Sequence, residues 1–149
     1  MARLRIGVIG TGHLGSLHVK VYNALKARSW IDIVGICDSD KKTVKEVGRK
    51  YNVPIHTDYH QLLDKVDAVS IVVPTSLHYE IARDFLKAGV HVLIEKPITK
   101  TLEEADELIA LAEVRGVRLS GAPCTILGEA AQTVWRAVRE GEVGQPRLV

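Results

Sequence analysis

The chain has 149 residues, of which 46% are hydrophobic and 26% are charged, a composition typical of one soluble globular domain. Its net charge of +2 does not indicate the strongly basic surface of a nucleic-acid-binding protein. No apolar run approaches the ~18 residues of a membrane span, and the N-terminus does not resemble a secretory signal. The two cysteines, Cys37 and Cys124, predict buried free thiols rather than a disulfide framework. We therefore expect a cytoplasmic protein with no nucleic-acid or membrane partner.

Short apolar segments that alternate with helical patterns predict the secondary structure. Strands are predicted at 4–9, 31–37, 55–57, 68–73, 90–94 and 117–120. Helices are predicted after Gly10, over 40–51, from Ser76 to Gly89, from Thr101 to Gly116 and from about Thr125 to Glu140. Ser76 is predicted to cap the third helix, and Thr101 with Glu104 forms a candidate capping box at the fourth.

Apolar residues at helical spacing predict one apolar face on each helix, and that of the second helix is predicted to be buried. The predicted sets, in chain order, are Leu14, Leu17, Val21 and Leu25; Val44, Val47 and Tyr51; Leu77, Ile81, Phe85 and Ala88; Leu102, Ala105, Leu108, Ile109 and Ala112; and Leu127, Ala130, Ala131, Val134 and Val138. The lysines of the second helix then lie on its solvated side.

This alternation predicts an α/β fold with a doubly wound parallel sheet, that is, a Rossmann fold of six strands in the order 3-2-1-4-5-6. We expect residues 1–122 to form a dinucleotide-binding domain. Residues 123–149 are expected to form a helix and the start of a second, substrate-binding domain that is otherwise missing from this chain.

A glycine-rich turn follows the first predicted strand. Residues 10–15, Gly10-Thr11-Gly12-His13-Leu14-Gly15, match the pattern G-x-G-x-x-G. Gly10 would permit the tight turn, Gly12 the approach of a pyrophosphate to the backbone, and Gly15 the close packing of helix and strand. The free N–H groups of the helix N-terminus would then meet the phosphates. The alternative is an ordinary strand-to-helix turn.

Asp38 ends the second predicted strand, about 20 residues beyond the glycine turn, where the fingerprint expects an acidic residue. Its carboxylate can accept hydrogen bonds from ribose hydroxyls and would repel a 2′-phosphate, which favours NAD over NADP. Lys41 and Lys42 could still accommodate that phosphate, so NADP stays open. Asp38 could instead cap the following helix, although Ser39 or Asp40 can also do so.

Three further segments carry a family resemblance. They are Val73-Pro74-Thr75-Ser76-Leu77-His78, Glu95-Lys96-Pro97 after the fifth strand, and the capped helix at 101–114. With the glycine turn, they closely resemble the glucose-fructose oxidoreductase / inositol dehydrogenase / MocA family. Members carry a second domain about as long again, which provides the substrate pocket and an acid/base residue. Here Gly121 to Leu127 replaces an Arg-Phe-Asn-Pro-like stretch of many members.

The resemblance implies a role for each matching residue. Pro74 and Thr75 would line the cofactor cleft, and His78 would lie near the nicotinamide. Glu95 would contact the nicotinamide ribose, and Pro97 would shape the loop, through a cis peptide bond. Lys96 would contact the cofactor side of the cleft and reach the substrate oxygen as the catalytic residue, where a cation stabilises a developing alkoxide.

We therefore expect an NAD(P)-dependent oxidoreductase that transfers hydride between nicotinamide and a secondary alcohol or carbonyl of a sugar, polyol or related small molecule. The present chain alone is expected to be inactive. The alternatives are a non-catalytic NAD(H)-binding or redox-sensing module and a fragment that pairs with another chain. We also expect a homo-oligomer, or self-association through exposed apolar surface.

The histidines do not indicate a metal site. His56 and His60 are four residues apart, but they do not share a helix face, and no cysteine or acid completes a zinc set. His13 and His18 are expected to pack near the phosphates.

Overall fold

The computed structural model of the chain describes residues 3–122, 128–142 and 144. Within these residues, six strands form one parallel sheet in the order β3-β2-β1-β4-β5-β6, which confirms the predicted doubly wound topology. The strands are β1 Leu4–Ile9, β2 Ile31–Cys37, β3 Ile55–His56, β4 Ala68–Ile71, β5 His91–Ile94 and β6 Leu119–Gly121.

The described helices follow the predicted order. They are α1 His13–Lys26, α2 Lys41–Tyr51, α3 His78–Lys87, α4 Leu102–Arg115 and α5 Glu129–Arg139. Short 3-10 turns at Tyr59–Leu62 and Thr75–Leu77 complete the connections. None of the described helices has the length and apolar character that crossing a bilayer requires.

Two hydrophobic clusters cover the two faces of the sheet. Val8 and Ile36 belong to the cluster of α1 and α2, whereas the next residues, Ile9 and Cys37, belong to the cluster of α3 and α4. This division follows from the strand geometry, because successive side chains point to opposite faces. Burial on both faces explains why the strands are continuously apolar.

Some strand ends differ from prediction by one or two residues. β4 ends at Ile71 rather than at residue 73, because its neighbour β1 ends opposite it at Ile9 and the chain then turns at Gly10. β3 ends at His56 and β5 begins at His91, one residue inside the predicted bounds. β6 is displaced to Leu119–Gly121. The last helix begins at Glu129 rather than about Thr125, although Thr125 itself and Leu127 lie outside the described residues.

The cap of α3 was predicted wrongly. Ser76 lies inside the 3-10 turn, and α3 begins at His78 without a side-chain cap. At α4 one half of the predicted box forms, because the Thr101 hydroxyl accepts a hydrogen bond from the Glu104 N–H at 3.2 Å. The Glu104 carboxylate accepts in turn from the Lys100 N–H rather than from Thr101.

The buried side of α1 is not the face that carries its large apolar residues. Leu14, Leu17 and Val21 are exposed, whereas Gly15 and Val19 are buried. Gly15 has no side chain, so this side of the helix packs against the Gly10 carbonyl, and the larger apolar residues lie on the outward side. Other residues of the core contacts explain four further exposed positions. The contacts of α3 and α4 with the core come from Ile81, Ala82, Phe85, Leu86, Leu108 and Ala112. The predicted positions left exposed are Leu77, Ala88, Leu102 and Ile109.

The helix α5 stands apart from the core. It buries none of its residues, and Val134 and Trp135 are exposed to 63% and 58%. Apolar surface of the predicted kind is therefore present on α5, and self-association through it stays a prediction.

Candidate functional site

The predicted site residues gather at one edge of the sheet. The glycine turn follows β1, Asp38 follows β2, Pro74 to His78 follow β4, and Glu95 to Pro97 follow β5. All of these strands are parallel, so their carboxyl ends share an edge. Ligands of open α/β sheets bind outside that edge, where the strand order reverses.

The three glycines of the turn have distinct surroundings. Gly10 has φ of +88°, and a Cβ there would lie 2.2 Å from the Val72 carbonyl oxygen. A Cβ at Gly15 would lie 2.0 Å from the Gly10 carbonyl oxygen. A Cβ at Gly12 would meet no atom within 4 Å. Gly10 and Gly15 are therefore required by packing, whereas Gly12 leaves open space directly before the N-terminus of α1, which fits a phosphate group.

Asp38 connects β2 to the glycine turn. One carboxylate oxygen, Oδ2, accepts from the Thr11 N–H at 2.7 Å and from the Thr11 hydroxyl at 3.0 Å, and Oδ1 accepts from the Asp40 N–H at 2.9 Å. Asp40 itself caps α2 by accepting from the Lys42 N–H. Asp38 is therefore not the helix cap. A carboxylate has about four lone-pair positions, so one position remains for a ligand hydroxyl.

A cleft of about 520 Å³ opens beside Asp38. Of the predicted site residues, Gly10, Gly12, Asp38 and Pro74 line it. Sequence reasoning missed the rest of the lining, which comprises Ile9, Cys37, Ser39, Thr57, Asp58, Tyr59, His60, Val72, Val73, Leu77, Glu80 and Ile81. Several of these residues could have been predicted from their place in the chain, because residues 57–60 directly follow β3 at the same carboxyl edge of the sheet.

The Cys37 thiol, which lines this cleft, has low reactivity. Cys37 is a buried free cysteine, as predicted, and Cys124 lies outside the described residues. Burial raises the pKa of the Cys37 thiol to about 11, and the neighbouring Asp38 carboxylate adds to the rise. The sulfur therefore stays protonated at neutral pH, when it is a weak nucleophile.

His78 holds two segments of the edge together. Its side chain is buried, with Nδ1 at 2.9 Å from the Pro97 carbonyl oxygen and Nε2 at 2.8 Å from the Val73 carbonyl oxygen. Both ring nitrogens thus face backbone oxygens. The imidazole connects the end of β4 to the loop after β5, and neither nitrogen points to the open cleft.

Glu95 takes part in a hydrogen-bonded network that the sequence did not suggest. The residue is 4% exposed, and its Oε1 lies 3.1 Å from His18 Nε2. His18 Nδ1 lies 3.2 Å from the Ser70 hydroxyl, which is 2.7 Å from the Tyr22 hydroxyl. The available signal was Ser70, a hydroxyl within an otherwise apolar strand, because a buried polar group requires a partner.

The remaining predicted residues lie at the surface of the same edge. Lys96 and Pro97 are exposed and are joined by a cis peptide bond, as the resemblance implies. His13 and Leu14 are exposed in the first turn of α1, and Thr75 is half-buried in the 3-10 turn. No side chain in the described part of the chain forms an ion pair with Lys96.

Comparison with known proteins identifies the protein family of the chain. The model of the Gfo/Idh/MocA oxidoreductase family, described as an NAD-binding Rossmann fold, matches residues 4–122. The chain belongs to this family. It is therefore an NAD-binding Rossmann domain of this oxidoreductase family, as the glycine turn and the Glu95-Lys96-Pro97 segment predicted.

Relatives of the domain include several sugar dehydrogenases. The chain is 42% identical over 120 residues to UDP-N-acetylglucosamine 3-dehydrogenase of Acidithiobacillus ferrooxidans, which covers 80% of this chain and 37% of that protein. A solved structure of that enzyme matches with a TM-score of 0.84 at 39% identity, over 92% of this chain and 44% of the other. D-glucoside 3-dehydrogenase of Escherichia coli is 33% identical, over 76% of this chain and 32% of that protein.

Structural relatives include complexes with the cofactor. GenD2 from gentamicin A biosynthesis, in complex with NAD, matches with a TM-score of 0.88 at 26% identity, over 95% of this chain and 40% of the other. The chain spans less than half the length of these relatives. None of them supports a non-catalytic sensor.

The different surroundings of Gly12 and Gly15 predict different effects of alanine. Gly12→Ala should change the free energy of unfolding by less than about 1 kcal/mol, yet weaken NADH binding at least about tenfold, because the methyl group fills the space before the helix N-terminus. Gly15→Ala should lower the free energy of unfolding by about 3 kcal/mol through overlap with the Gly10 carbonyl.

Urea denaturation and calorimetric titration with NADH measure the two effects, and each variant serves as the control of the other. Wild-type NADH affinity in Gly12→Ala, or equal stability losses in both variants, would contradict this assignment.

Proposed function

We propose that the protein carrying this chain transfers hydride between NAD(H) and a secondary hydroxyl or carbonyl group of a sugar. One observation supports this proposal most strongly: the exposed Lys96 lies at the same carboxyl edge of the sheet as the glycine turn and Asp38. When bound, NAD⁺ accepts a hydride at its nicotinamide ring, and NADH donates one. This chain alone is then a cofactor-binding half, inactive in the absence of a substrate domain.

Different groups of the chain would bind different parts of the cofactor. The backbone at Gly12, with Thr11, His13, Leu14 and Gly15 around it, would receive the pyrophosphate, since the space there is open and the dipole of α1 favours an anion. The free lone pair of Asp38 would accept from the adenosine ribose. Its negative charge disfavours a 2′-phosphate, and the exposed Lys41 and Lys42 are the groups that could offset this.

Lys96 would act on the substrate oxygen. Loss of hydride from a secondary alcohol leaves a carbonyl, and the hydroxyl proton must pass to a base, which we place in a second domain. While charge develops on the oxygen, the ammonium of Lys96 stabilises it. Pro74 and Thr75 would line the cleft, Glu95 would face the nicotinamide ribose, and Pro97 would shape the loop.

We assign His78 a different role from the one that the resemblance implies. Its nitrogens lie 2.8 Å from the Val73 carbonyl oxygen and 2.9 Å from the Pro97 carbonyl oxygen, and a ring nitrogen that carries a proton donates it to the oxygen that it faces. It would therefore support the nicotinamide side of the cleft by holding the loop of Lys96, without contacting the cofactor through a nitrogen.

The relatives support a sugar as the substrate. UDP-N-acetylglucosamine 3-dehydrogenase and D-glucoside 3-dehydrogenase both act at the 3-position of a hexose according to their names. We propose the same position, on a hexose that carries a nucleotide or another group at its anomeric carbon.

The cofactor preference can be tested with Asp38→Asn. Asparagine keeps an oxygen acceptor for the Thr11 N–H but removes the charge, so the ratio of NADH to NADPH affinity should fall at least about tenfold. Asp32→Asn, at the opposite end of β2, makes the same charge change away from the edge and should leave the ratio unaltered. Calorimetry with both cofactors measures it. Equal wild-type affinities for NADH and NADPH would contradict the role of Asp38.

The catalytic role can be tested with Lys96→Met in the complete polypeptide that carries this chain. With UDP-N-acetylglucosamine or a glucoside and NAD⁺, NADH formation should appear by absorbance, and Lys96→Met should lower kcat about 100-fold or more. Lys100→Met, an exposed lysine of the same loop, should leave kcat unchanged. Wild-type kcat in Lys96→Met would refute the assignment.

A further inference from the structure

The carboxylate of Glu95 is buried and depends on one side chain for its orientation. The residue is 4% exposed, and Oε1 is 3.1 Å from His18 Nε2. The other oxygen, Oε2, lies 3.3 Å from the Lys96 N–H, a longer contact. A buried carboxylate without a strong partner is costly, so His18 is its main partner among the described residues.

The Glu95 carboxylate requires a proton on Nε2 of His18. The Glu95 carboxylate can only accept, so Nε2 must donate to it. In the neutral ring Nδ1 then accepts from the Ser70 hydroxyl, and the Ser70 oxygen accepts from the Tyr22 hydroxyl. Burial raises the pKa of Tyr22, which keeps this last donor protonated. With His18 as the neutral Nε2–H tautomer, every donor in the network meets an acceptor.

The same network reaches Lys96 through the backbone. Glu95 precedes Lys96, and its carboxylate contacts the Lys96 N–H. On the other side of Lys96, the Pro97 carbonyl is bonded to His78. The loop is thus held from α1 by one histidine and from α3 by the other, while the lysine side chain remains exposed.

We propose that His18 is a positioning residue of the cofactor site: held in one tautomer by Ser70 and Tyr22, it orients the Glu95 carboxylate and, through it, the Lys96 backbone. The inference rests on the proposed function in that Glu95 and Lys96 are taken to face the nicotinamide half of NAD(H). His18 touches neither cofactor nor substrate.

Two substitutions of His18 separate hydrogen bonding from packing. His18→Gln keeps an N–H donor for Glu95, whereas His18→Leu has similar bulk and no donor. In His18→Leu, NADH binding should weaken about tenfold, the effect of losing one hydrogen bond to a charged group. Binding of ADP, which lacks the nicotinamide half, should change by less than about twofold. His18→Gln should recover most of the NADH affinity.

Nitrogen-15 NMR of the histidine rings and of the Lys96 amide gives a readout that needs no cofactor. The wild-type chain should show His18 as the Nε2–H tautomer, and Tyr22→Phe should loosen this preference. The Lys96 amide should shift and exchange faster with solvent in His18→Leu than in His18→Gln. The NMR measurement still tests the proposal if His18→Leu is too unstable for titration, because the tautomer of His18 is measured in the wild-type chain.

The outcomes distinguish the two proposals. An Nδ1–H tautomer in the wild type, or a Lys96 amide unaffected by His18→Leu, would overturn the role of His18 regardless of cofactor binding. Equal loss of ADP and NADH affinity in His18→Leu would also overturn it, since the effect would then be general. If the wild type binds NADH no more tightly than ADP while the NMR results hold, the positioning of Lys96 stands and the proposed nicotinamide contact fails.

Discussion

The close contact between α1 and the glycine turn sets the arrangement of the whole edge. A methyl group at Gly15 would lie 2.0 Å from the Gly10 carbonyl oxygen, so the first turn of the helix can lie there only because that side chain is absent. The contact determines which side of α1 is buried. Val19 enters the core, while Leu14, Leu17 and Val21 face outward.

The same contact explains the position of the polar groups on α1. Its N-terminus lies at the carboxyl edge beside the open space of Gly12, where its dipole favours an anion. One turn further, His18 and Tyr22 come beside β4 and β5, where they meet Ser70 and Glu95. A single close packing contact therefore places both the phosphate end of the site and the histidine that holds the Glu95 carboxylate.

The topology and most elements could be predicted from the sequence, because alternating apolar strands and amphipathic helices leave few ways to cover both faces of a sheet. The glycine turn, Asp38 and Lys96 could be placed at one edge for the same reason, since parallel strands end together. The residues of α1 show where this reasoning fails. Spacing alone selected the stripe with the largest apolar side chains, whereas a glycine decided which side packs.

The roles of the histidines could not be predicted because they depend on contacts between distant segments. His18 and Glu95 are far apart in sequence, and only the folded sheet brings Nε2 within 3.1 Å of the carboxylate. His78 was expected beside the cofactor by resemblance, but its nitrogens face carbonyl oxygens of two loops. Histidines can be ligands, acids or structural links, and their sequence neighbours do not separate these roles.

We propose that the glycine turn, Asp38 and the loop of Lys96 form one NAD(H) site. Titration of the nitrogen-15-labelled chain with NADH, followed by the backbone amide signals, tests whether these segments bind the cofactor together. We expect the amides of Gly10 to Gly15, Asp38, Glu95 and Lys96 to shift together and to saturate with one dissociation constant. Absence of shifts at the glycine turn, or different dissociation constants for the turn and for Lys96, would contradict it.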